Sequence, residues 1–157
     1  MGGSPMCTDD KSISDGVITI ILDNKNLSSL DAAASILHEG IHAELFRFVD
    51  QAHNGEVNPN DRKRLFDLYK NFKNDVNWQD NNAQHTYMAE NFVKPIARAI
   101  RELDNKRYNL NYYMGFGWEG LEAYDFKGIL TVADEVEFAR LRKIVNDNTA
   151  FNPKDCN

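Results

Sequence analysis

The stretch that most restricts this chain is "NLSSLDAAASILHEGIHAELFRFVD", residues 26–50. Ser28 stands three residues before Asp31, a capping-box-like start, and apolar residues then recur at helical spacing to about Val49. A helix of that length has to bury its apolar stripe, so the remainder of the chain must fold over it. Yet the middle of the run carries His38, Glu39 and His42 among Ile36, Leu37, Ile41 and Leu45. Two imidazoles and a carboxylate would be costly to bury there unless something binds them.

Helical geometry says what that could be. Positions i and i+4 share a face about one turn apart, so His38 and His42 can aim their nitrogens at one point, which a metal ion could occupy. Glu39 is turned about 100° from His38, close enough to reach a metal-held water without binding the metal itself. Its role would be general base. Shuffling this composition produces the His-Glu-x-x-His pattern roughly once in two hundred chains, so the motif carries weight by itself.

The whole chain restricts the setting. Its 157 residues suit one domain, and 42% hydrophobic with 27% charged residues is ordinary for a globular protein. No window approaches the roughly 20 apolar residues of a membrane span. The formal charge of 18 minus 24, or −6, argues against general affinity for nucleic acid or anionic lipid. The basic run "DRKRLF" at 61–66 reads as the solvated start of a helix. The start "MGGSPMC" lacks the pattern of a signal peptide. Residues 1–12 read as a disordered head or linker and 13–157 as the folded domain; a natural polypeptide extending further upstream, within a larger secreted or exported protein, is the expectation. Cys7 and Cys156 allow either a disulfide or two free thiols.

Along the chain, "GVITIILD" (16–23) is rich in β-branched residues and reads as a strand. "QAHNGEVNPND" is turn chemistry, with His53 in a loop, and a second helix follows through "RKRLFDLYKNF" with Leu65, Leu68, Tyr69 and Phe72 on one side. After the polar loop "KNDVNWQDNN", a long helix is predicted from Ala83 to about Leu103, with Ala89, Phe92, Ile96, Ile100 and Leu103 inward and a kink or break at Pro95. The aromatic, glycine-dense "YNLNYYMGFGWEGLEAYDF" (108–126) suits an irregular wall. Thr131 and Asp134 mark a last helix over about 132–146, with Val136, Ala139 or the Arg140 methylenes, Ile144 and Val145 inward. The fold class expected is α+β, mostly helical, with the His38 helix packed on a small sheet.

"HEGIH" resembles the signature of the zincin metallopeptidases, and "QHTYMAEN" with "GWEGLEA" is similar to stretches of poorly characterised bacterial zincin-like domains distantly like the SprT group. The likeness spans roughly residues 16–95, but only the five-residue motif is specific. The metzincin extension is missing: Leu45 and Phe48 stand where a glycine and a third histidine would follow. What the resemblance implies is a zinc-dependent hydrolase that cleaves peptide bonds, with a peptide or protein as substrate and the strand before the helix as the edge along which it pairs.

A catalytic zinc site needs a third protein ligand and an open position. His85 and Glu90 both lie in "QHTYMAENF". His85 belongs to the inward stripe 85, 89, 92, 96, whereas Glu90 is turned about 140° from it, so His85 is preferred and Glu90 is the alternative. Glu90 also suits a solvated surface charge, and His53 is a minor candidate. Tyr87, Tyr112 and Tyr113 are candidates for the donor to a developing oxyanion, each also suited to plain packing. Trp118 with Gly115, Gly117 and Gly120 either walls the cleft or turns the chain. Two rival functions stand beside the hydrolase: a catalytically degenerate zincin-fold binding module, and a helical interaction protein without metal.

Overall fold

The cap expected at Ser28 begins the first helix, α1 (Ser29–His53). Asp31 donates its backbone N–H to the Ser28 hydroxyl at 3.1 Å, and that hydroxyl donates to the Asp31 carboxylate at 2.8 Å. One of the orphan amides of the helix start is thereby satisfied. α1 continues past the expected end, so His53 closes a helix and is not in a loop. Among its described side chains, Leu30, Ala34, Ser35, Glu39, His42 and Leu45 make up its buried side. Full burial of Leu30 and Leu45 contributes roughly 2–3 kcal/mol each.

The computed structural model describes residues 6–9, 19–22, 27–53 and 82–148. The expected helix at 62–72, the loop before Asn82 and Cys156 lie outside the described residues.

The helix predicted over 83–103 is two, α2 (Asn82–Asn91) and α3 (Val93–Leu103), with Phe92 between them. Pro95 explains the interruption. It has no N–H to give to the Asn91 carbonyl and its ring crowds that carbonyl, so the chain bends one turn ahead of the proline. The flanking bonds survive, Phe92 N–H to Met88 O at 2.7 Å and Ile96 N–H to Phe92 O at 2.9 Å. The result is a bend, not a gap. Ala89, Ile96 and Ile100 are buried as expected, while Leu103 at the far end is exposed.

The aromatic, glycine-dense stretch folds into short turns: a 3₁₀ turn at Leu110–Tyr113, the helix α4 (Met114–Trp118) and a second 3₁₀ turn at Glu122–Tyr124. All of α4 is buried between α3 and the last helix, α5 (Val132–Asn148). Its two glycines permit that close fit. A Cβ on Gly115 would lie 2.7 Å from the Phe138 carbonyl oxygen, and one on Gly117 only 2.2 Å from that of Val93. Gly117→Ala should therefore cost about 1–3 kcal/mol in urea unfolding, by forcing backbone apart. Gly40, inside the motif helix, is the opposite case, since an added Cβ would meet nothing within 4 Å. Gly40→Ala should raise stability by about 0.5–1 kcal/mol in the same measurement, through helix propensity alone.

Thr131 caps α5 reciprocally with Asp134, the Asp134 N–H reaching Thr131 Oγ1 at 3.1 Å and the Thr131 N–H reaching Asp134 Oδ2 at 3.2 Å. Leu141 and Val145 are its buried residues. Val136 and Ala139, expected inward, face solvent; nine residues before Val145, Val136 lies half a turn of helix away from the buried side. The core then joins Leu30 and Leu45 to Met88, Ile96, Ile100, Tyr113, Phe116, Trp118, Leu121 and Val145.

The α+β class is corrected. Among the described residues the extended chain amounts to β1 (Met6–Asp9) and β2 (Thr19–Leu22), four residues each, paired only with one another as an antiparallel ribbon with Met6 opposite Leu22. An isolated ribbon of two short strands is no sheet layer on which a helix can be built. The fold that carries the histidines is helical: α1 touches the ribbon, but its other neighbours are α3, α2 and α4, and the ribbon is too small to serve as a sheet layer. β1 falls inside the stretch 1–12 expected to be a disordered head. No helix among the described residues is long and apolar enough to cross a membrane.

Candidate metal centre

α1 and α2 approach each other so that three imidazoles meet. His42 Nε2 lies 3.2 Å from His38 Nε2 and 3.1 Å from His85 Nε2, and the three candidate ligand atoms all fall within 4.8 Å of one another. His38 and His42 are there because they are one helical turn apart, and His85 because the inward stripe of α2 faces α1. The rings are splayed: His42 and His85 meet edge to face at 87°, with centroids 4.7 Å apart. That arrangement points nitrogens, not ring faces, at a common centre.

Proton bookkeeping favours a cation there. The His42 Nδ1 is 2.7 Å from the Oε1 of buried Gln84 and donates to it, which leaves one lone pair on Nε2. One lone pair cannot accept from two neighbouring N–H groups at once. A single ion taking a lone pair from each ring removes the conflict, and ligands about 2.0–2.1 Å from a tetrahedral ion stand roughly 3.3 Å apart, close to the two separations found from His42. The residues fit a metal ion bound by three histidines.

The His38 imidazole is pushed down to about 3, first by burial and then by the charges of His42 and His85. Between its unfolded value of 6.5 and about 3, the unfolded chain takes up a proton that the folded chain refuses. This contribution is intact above pH 6.5 and lost as the pH falls through that window. Thermal unfolding of the metal-free protein should therefore show a midpoint roughly 5 °C lower at mildly acid pH than at neutral pH. A midpoint that stays level or rises on acidification contradicts it.

Glu39 is buried, 5% exposed, at the position following His38. Glu90, the alternative third ligand, is outside the cluster; its carboxylate pairs with Lys127 Nζ at 2.9 Å. Of the tyrosines weighed from the sequence, Tyr87 is buried against Phe92, Tyr112 stacks on Tyr108, and Tyr113 donates to Asp104 at 2.7 Å. Burial, followed by that bond to Asp104, pushes the Tyr113 hydroxyl up to about 12.

Two residues at the centre have no counterpart in the sequence reading. Gln84 orients His42, and a glutamine inside a helix has no spacing signature. Tyr124 stacks on the His85 ring at 4.6 Å and 26°, brought there by the second 3₁₀ turn. In a stretch holding three other tyrosines, only the fold selects it. Gly120 lies against His38, where a Cβ would be 3.7 Å from Cε1. Residues 120–124 thus line one side of the centre, and Trp118, buried at 3%, belongs to the core beneath.

Comparison with protein-family models, with curated proteins and with solved structures gave no match for this chain.

Proposed function

We propose that this chain is a zinc-dependent hydrolase that cleaves peptide bonds, of the zincin kind. The observation that carries the reading is the convergence of three Nε2 atoms, two from the "HEGIH" helix and one from α2. Three imidazoles are a donor set suited to zinc, and three protein ligands are what a catalytic zinc keeps when a fourth position is left for water or substrate. When bound, zinc polarises the scissile carbonyl and lowers the pKa of its water towards neutrality.

The chain's own residues supply the rest. His38, His42 and His85 hold the ion through Nε2, and Gln84 keeps the His42 proton on Nδ1 so that its Nε2 is available. Glu39 accepts the proton of the attacking water and passes it to the leaving amine. Glu39 stands at the position of the motif that suits a general base, which favours hydrolysis over a degenerate binding module.

The test begins with the metal content of protein purified without added zinc, followed by hydrolysis of a proteome-derived peptide library before and after chelation. About one zinc per chain with chelator-sensitive cleavage supports the reading. Metal-free protein that takes up no zinc on titration removes it.

A further inference from the structure

Arg142 on α5 is largely buried and uses its guanidinium on two acids from different parts of the chain. Nε donates to Asp31 Oδ1 at 2.8 Å, Nη2 reaches Asp31 at 2.7 Å and Glu119 Oε2 at 2.6 Å, and Nη1 approaches the Gly115 carbonyl at 3.4 Å. Its Cζ also lies 5.1 Å from the centre of the Phe116 ring.

Both acids lead to the histidines. Asp31 is in the first turn of α1, seven residues and about two turns before His38 on the same helix. Glu119 opens the turn Trp118–Leu121, closed by Leu121 N–H to Trp118 O at 2.8 Å. Glu119 has φ −51° and ψ 120°, and Gly120 has φ +74°; these are the angles of a type II turn, which requires φ above zero at its third residue. The turn sets Gly120 beside His38, and the next bond, Tyr124 N–H to Leu121 O at 2.9 Å, carries Tyr124 onto His85. Trp118 and Leu121, buried in the core, anchor its two ends. Between them, the Glu119 side chain ties the turn to Arg142.

We propose that Arg142 and Glu119 are positioning residues for the histidine centre, bracing the 119–124 segment against α1 so that Gly120 and Tyr124 hold the rings of His38 and His85 in place. The proposal deepens the metal-centre reading and rests on it for its purpose. The brace itself is a property of the metal-free chain. Glu119 is partly exposed, so Glu119→Ala can be made without hollowing the core, whereas Arg142→Ala would strand Asp31 without its cation. Glu119→Gln keeps an oxygen acceptor for Arg142, and Glu137→Ala, which breaks the exposed Glu137–Arg140 pair on the same helix, controls for loss of a surface ion pair.

The experiment records the imidazole ¹H–¹⁵N resonances of the four proteins without metal, then their zinc affinity by chelator competition. In Glu119→Ala the His38 and His85 ring signals should move, because the Tyr124 ring leaves its stacked position, and zinc affinity should fall about tenfold. Glu119→Gln should restore most of both, and Glu137→Ala should match wild type. Ring signals in Glu119→Ala that superimpose on wild type overturn the proposal. A wild type that binds no zinc would sink the hydrolase reading and leave the resonances to decide the brace.

Discussion

Glu39→Gln should hold zinc within about threefold of the wild-type affinity and lose at least a thousandfold in peptide hydrolysis. The substitution keeps the size of the side chain at a buried position and removes its negative charge and with it the ability to take a proton. Because the three imidazoles supply the metal-binding atoms, the ion should be retained. Because nothing else in the proposed chemistry accepts the proton of the attacking water, turnover should not be. Metal analysis beside a kcat/KM measurement on one cleaved peptide separates the two effects. Equal activity in the two proteins would remove Glu39 from the mechanism and return the chain to the class of metal-binding modules.

His85→Ala should do the reverse, acting through the metal. With two imidazoles left on α1, zinc affinity should fall by a hundredfold or more, and activity at limiting zinc should vanish with it. Added zinc should then no longer raise the thermal midpoint, since that stabilisation depends on the ion binding the folded chain. Glu90→Ala is the informative companion. Its carboxylate is engaged with Lys127 at the surface, so zinc affinity should stay within about twofold. The opposite ranking, with Glu90→Ala the more damaging, would make a glutamate the third ligand.

The parts of the centre that were legible in the sequence are those set by helical repeat. His38 and His42 were readable as a pair because a capped, amphipathic helix fixes what four residues of separation means, and His85 because it sits on the inward stripe of its own helix. The bend ahead of Pro95 followed from a missing donor. What escaped depends on distant segments meeting. Gln84 matters through a bond to a residue 42 positions away, and Tyr124 through a stack that forms only once the Trp118–Leu121 turn is in place. The small sheet was an over-reading of β-branched residues: strand propensity produced β2, but propensity cannot say how many partners a strand finds. Val136 and Ala139 are misplaced because the inward side was drawn through them, whereas the buried side is set by Leu141 and Val145.

The contact between His42 and His85 joins points 43 residues apart along the chain. An ion shared by them would act as a reversible clasp between segments that otherwise meet through packing and the His42–Gln84 hydrogen bond. Because the ion leaves as the chain unfolds, such a clasp stabilises by preferring the folded chain, and does so more strongly the higher the free ion concentration. Metal supply would then govern how long the folded chain survives.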